Sequence, residues 1–142
     1  MSNQEDLRPP LPDHGLGVVV TLKKDGRPQL SNVSYAYDAD RRRIRVSVTD
    51  GRAKTANLRR DPRVSFYVNG PRGRSYIVAE GTASLSPVAA EADDATVDEL
   101  VDIYRAIAGE HPDWDEFREA MVADRRLALT IDIERFYGWD GR

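Results

Sequence analysis

The sequence predicts a mixed α+β fold that is mainly β: about six antiparallel strands closed into a small barrel, with one short helix inserted early and two helices late. Three observations carry that expectation. Short segments of alternating apolar and polar residues recur along the chain, most of them joined by glycine-containing turns. Helix-forming stretches are confined to Arg52 to Arg60 and to the region from Asp93 to Val122. The segment Arg74 to Leu85 is long for a strand, and Gly81 inside it marks a bulge or sharp bend of the kind barrels need.

Met1 to Pro12 is polar, with Pro9, Pro10 and Pro12 close together, and reads as an extended arm. Gly17 to Leu22 (GVVVTL) is a strand, Lys23 to Pro28 holds an Asp25-Gly26 turn, and Gln29 to Tyr37 (QLSNVSYAY) is the returning partner. That partner is unusually polar. Gln29, Ser31 and Asn32 suit a surface that hydrogen-bonds a planar ligand, or else a solvent-facing side. Arg63 to Asn69 turns Val64, Phe66 and Val68 inward. Asp93 to Ala108 has helical spacing with Thr96 and Glu99 as a capping box, and Asp113 with Glu116 opens a second helix. Leu127 to Ile133 is the last strand, followed by an aromatic tail of Phe136, Tyr137 and Trp139 that needs a surface to cover.

At 142 residues the chain is long enough for one domain with its own core, residues 1–142, and no repeat argues for a second. The absence of cysteine excludes disulfides and thiolate chemistry and fits a cytoplasmic protein. His14 and His111 stand alone in connectors, so no metal site is expected. No apolar run approaches the roughly 20 residues that span a bilayer, so no membrane association is expected. Net charge is −3 but segregated, with 9 basic and 2 acidic residues in Arg41 to Arg63 against 2 basic and 12 acidic in Pro87 to Asp124. Overall acidity argues against a nucleic-acid binder, while the local basic stretch can still steer a small polyanion.

That basic stretch carries the functional signal. Ile44, Val46 and Val48 alternate with Arg45, Ser47 and Thr49, Asp50-Gly51 breaks the strand, and Arg52 to Arg60 (RAKTANLRR) forms a helix that Asp61-Pro62 stops. Cations belong at a helix C-terminus, where Arg59 and Arg60 sit, and not at the partially positive N-terminus, where Arg52 and Lys54 sit. A phosphate would remove the conflict, because backbone N–H groups, Arg52, Lys54 and the hydroxyls of Ser47 and Thr49 would converge on it. A solvated basic helix is the other reading. No nucleophile elbow, zinc-protease, Walker A or dinucleotide fingerprint is present, so no catalytic side chain is assigned and a cofactor is expected to carry any reaction.

The element order and the segments GRPQLSN (Gly26 to Asn32), RAKTANLRRDPR (Arg52 to Arg63) and SYIVAEGTASL (Ser75 to Leu85) resemble the pyridoxamine 5'-phosphate oxidase-like split β-barrel superfamily, and within it the actinobacterial branch that binds the deazaflavin coenzyme F420. YRAIAGEHPDWDEFREAMVADRR (Tyr104 to Arg126) is similar to mycobacterial members. The resemblance implies a homodimer with coenzyme sites at the subunit interface, and a hydride transfer between coenzyme F420 and a small-molecule acceptor. It implies that Arg52 and Lys54 grip the phosphate, that Gln29, Ser31 and Asn32 line the ring system, that Ser47, Val48 and Thr49 lie beneath the phosphate and ribityl chain, and that Arg74 and Tyr76 approach from the other subunit. FMN in the same groove, or a coenzyme carrier without turnover, are the alternatives. Arg41, Arg42, Arg59 and Arg60 are a further expectation, as a screened attraction for the acidic oligoglutamate tail of coenzyme F420.

Overall fold

Val64, Phe66 and Val68 fall on one side of β4 (Arg63–Asn69) and are buried, as period-two alternation requires. The same rule buries Ile44, Val46 and Val48 of β3 (Arg43–Thr49) and Leu127, Leu129, Ile131 and Ile133 of β6 (Arg126–Trp139). With β1 (His14–Leu22), β2 (Pro28–Asp38) and β5 (Tyr76–Leu85) they close a six-stranded antiparallel barrel in the order β1-β2-β3-β6-β5-β4. Closure leaves no strand without a neighbour on each side and concentrates the apolar side chains in one interior cluster. The computed structural model describes residues 8–142, so the first seven residues of the expected arm lie outside the described residues.

Three helices sit outside this barrel. Helix α1 (Ala53–Arg60) follows β3 and sends Leu58 into the barrel interior, a burial that contributes about 1.5–3 kcal/mol and anchors the helix across the barrel end. Helices α2 (Ala95–Ala108) and α3 (Trp114–Ala123) lie between β5 and β6 and form a second cluster, in which Val97, Leu100, Val101, Ile103 and Phe117 pack over Ala128 on the outer face of β6. No helix among the described residues is long and apolar enough to cross a membrane.

Three sequence expectations change. His14 lies not in a connector but at the start of β1, paired with Ala36. Asp94 caps α2, not a Thr96 and Glu99 box: its carboxylate accepts from the N–H groups of Ala90, Glu91 and Val97, and these bonds hold its pKa below the usual range. Thr96 instead donates its hydroxyl to the Pro87 carbonyl at 2.9 Å. Phe136, Tyr137 and Trp139 are not a tail but the end of a 14-residue β6, hydrogen-bonded to β5. Phe136 is buried in the interior cluster, whereas Tyr137, of opposite parity, lies on the outer face and Trp139 is exposed.

Gly81 does mark a bulge, since the register between β5 and β6 shifts between Glu80 and Gly81. A Cβ there would run into the backbone carbonyl of Asp132, and no rotamer can relieve a clash with backbone. Gly81→Ala therefore lowers the unfolding free energy by about 1–3 kcal/mol in urea titrations.

Candidate functional site

Strands β2 and β3 pair over only three positions, Ala36 with Arg45, Tyr37 with Ile44 and Asp38 with Arg43. Beyond Ala36 the 11-residue β2 parts from β3, and the barrel wall splits. A cleft of about 470 Å³ opens in that split, lined by Asn32, Val33 and Ser34 from β2, Ser47, Val48 and Thr49 from β3, Arg52 and Lys54 from the α1 entrance, Ile107 from α2 and Arg126 from β6. A volume of this order accommodates an organic cofactor.

Alternation aims the polar groups. Val46 and Val48 point into the barrel, so Ser47 and Thr49 point out into the cleft. Antiparallel register sets Arg126 directly opposite Thr49 on the same face, which places their Cβ atoms about 4.5–5.5 Å apart. Arg126 lends an Nη1 hydrogen to the Ser47 carbonyl at 3.5 Å, while its Nε–H is buried with no partner among the described residues. The α1 entrance is equally bare. Arg52 occupies the N-cap position with no side-chain cap, and the first turn holds no acidic residue.

The charge balance is one-sided: three cations line the cleft and no carboxylate does. Asp50, the nearest acid in sequence, is engaged elsewhere by Arg59 and Arg125, each at 2.8 Å, and these partners keep its carboxyl below the usual range. Burial pushes the Lys54 amine below its ordinary value, and the facing charges of Arg52 and Arg126 push it the same way. An anion placed here would meet three donors and the helix N-terminus with no acid to repel it.

Six of the ten expected site residues converge on the cleft: Asn32, Ser47, Val48, Thr49, Arg52 and Lys54. Gln29 and Ser31 do not line it. They have the opposite parity from Asn32 on β2 and face the other side of the sheet, where the Gln29 side-chain oxygen accepts from Asn57 at 3.2 Å. Asn57 also donates to Thr21 at 3.1 Å, so the polar character of β2 serves in part to hold α1 on the barrel. Tyr76 stacks on Tyr67 at 5.9 Å on the outer face of β4 and β5, and Arg74 is exposed in the preceding turn; neither reaches this cleft within the chain. Arg59 and Arg60 are tied to Asp50 and to Asn57 and the Leu22 carbonyl, and Arg41 sits by Asp38 at the far end of β3, about 20 Å of strand away.

Ser34, Ile107 and Arg126 are cleft residues that sequence reading missed. Ser34 was available from parity with Asn32, whereas Arg126 needs the β3–β6 register and Ile107 needs the docking of α2. Among the described residues no group of histidine and acidic side chains could hold a metal ion.

The family model described as pyridoxamine 5'-phosphate oxidase matches residues 4–140. The chain belongs to that family. It is similar to a conserved hypothetical protein of Mycobacterium tuberculosis at 25% identity and TM-score 0.68, covering 89% of this chain and 78% of the other. A protein named F420 reductase shares the fold at 23% identity and TM-score 0.65, covering 85% and 87%. An FAD-binding protein from Mesorhizobium loti shares it at 21% identity and TM-score 0.58, covering 87% and 82%.

Because Lys54 loses its proton more readily folded than unfolded, its charge destabilises the ligand-free fold below the lowered pKa, and that cost disappears as pH rises from there to the ordinary 10.5. Lys54→Met is therefore expected to melt above the wild type at neutral pH. The gap closes as pH approaches 10.5, measured by thermal melts of both proteins in parallel.

Proposed function

We propose that this protein is a coenzyme F420-dependent oxidoreductase whose cleft between β2 and β3 holds the cofactor's phosphate end. The observation that carries the reading is the set of three cations, Arg52, Lys54 and Arg126, facing one cleft with no acidic residue in its lining. The fit is chemical as well as spatial: a buried unpartnered Arg126 Nε–H and the N–H groups of an uncapped helix entrance can both donate to an oxyanion. When bound, the deazaflavin supplies two-electron hydride chemistry toward an organic acceptor. The chain's own residues grip, orient and shield. Arg52 and Lys54 bind the phosphate, Ser47 and Thr49 donate hydroxyl hydrogens to it, and Asn32 orients the part of the ligand that runs along β2.

Family membership makes FMN the second candidate, since its phosphate asks for the same donors. Colour and fluorescence of the purified protein separate a flavin from a deazaflavin. Bound cofactor that no acceptor oxidises would leave a carrier.

The reading also pairs two copies of the chain. Leu16 and Leu30 on the outer face of β1 and β2 are 75% and 61% exposed, next to an apolar depression formed by Val18, Val20, Tyr67, Val78 and Tyr137. A second barrel seated there would cover them and bring its Tyr76 and Arg74 toward the cofactor.

Titration with coenzyme F420 and with FMN tests the assignment. Arg52→Ala and Lys54→Ala each lose at least tenfold in affinity for the ligand that binds, about 1.4 kcal/mol, because each removes a charge-assisted phosphate contact. Unchanged affinity in both variants would remove the phosphate from this cleft.

A further inference from the structure

Arg126 opens β6, 72 positions beyond Lys54, at the point where the chain returns from the α2–α3 insertion to the barrel. Its side chain lines the same cleft as Arg52 and Lys54, opposite Thr49 in the ladder. The neighbouring Arg125 has Asp50 at 2.8 Å, and Arg118 has Asp98 at 3.0 Å, but Arg126 has no carboxylate partner among the described residues. Among the described residues its guanidinium makes one hydrogen bond, the long one from Nη1 to the Ser47 carbonyl at 3.5 Å, and its Nε–H is buried and unpaired. A structural arginine at a strand start would be expected to satisfy that donor, because an orphaned buried N–H costs about 1–3 kcal/mol.

We infer that Arg126 is a third phosphate-binding residue, completing a clamp that joins the α1 entrance to the first residue of β6 and selects a ligand group bearing at least two negative charges. The inference rests on the anionic-cofactor reading for the identity of the ligand but not for the existence of the clamp. Guanidinium geometry supplies the two-pronged donation to a phosphate that Lys54 cannot give. Three facing cations repel one another in the ligand-free chain, and a dianionic group neutralises most of that repulsion. A singly charged carboxylate leaves two charges uncompensated, so the cleft discriminates by ligand charge as well as by shape.

The test uses the full chain and three probes: inorganic pyrophosphate, FMN and coenzyme F420, titrated by calorimetry against the wild type, Arg126→Gln and Arg126→Lys. Arg126→Gln is expected to lose at least tenfold in affinity for pyrophosphate and for whichever cofactor binds, and Arg126→Lys to recover part of the loss. The ligand-free Arg126→Gln protein is expected to melt at or above the wild-type temperature, because it sheds repulsion, whereas a merely structural arginine would leave a lower melting temperature. Wild-type affinity for pyrophosphate in Arg126→Gln, or no pyrophosphate binding by the wild type, overturns the inference. Arg126-dependent pyrophosphate binding with neither cofactor bound supports the clamp while removing the cofactor reading.

Discussion

The parting of β2 from β3 is the constraint on which the site depends. A fully paired barrel would bury its backbone groups in ladders and leave no room beside β3. Pairing over three positions closes the barrel at one end, and the freed length of β2 becomes the wall of a cleft. Helix α1 can then plug the barrel end with Leu58 while its entrance stays exposed to the opening. The second cluster, built from α2, α3 and Ala128, braces the opposite wall and brings Ile107 to its rim.

Electrostatics then divides the basic stretch into two populations that look alike in one dimension. Arg59, Arg60 and Arg63 are answered by Asp50, Asn57 with the Leu22 carbonyl, and Asp61, so their charges are spent on holding α1 and the turn that follows it. Arg52, Lys54 and Arg126 are not answered in this way. Surface pairs of the first kind contribute about 0–1 kcal/mol each, so they matter here less for stability than for leaving the cleft cations without competitors.

Much of this was legible in the sequence, for identifiable reasons. Alternation reports which side of a strand is buried, so β3, β4 and the first part of β6 read correctly, and the Asp25-Gly26 turn and the Gly81 bulge announced themselves through residues with few other uses. The misplaced cations at the α1 entrance pointed to the cleft because helix polarity is a local rule. Parity was the rule left unapplied: Gln29, Ser31 and Asn32 cannot share one face, and Gln29 turned out to bond Asn57. What stayed hidden depends on long-range register. Arg126 looks like one more basic residue beside Arg125 until β6 is laid against β3, and the aromatic end of β6 looks like a tail until β5 pairs with it.

A crystal structure of the chain grown with coenzyme F420, with FMN as the parallel soak, tests the central claim most directly by locating phosphorus. The account predicts the phosphorus in the cleft between β2 and β3, with phosphate oxygens within hydrogen-bond reach of Arg52 and Lys54. A bound cofactor whose phosphate lies elsewhere on the barrel, with those two side chains still facing solvent, would contradict it.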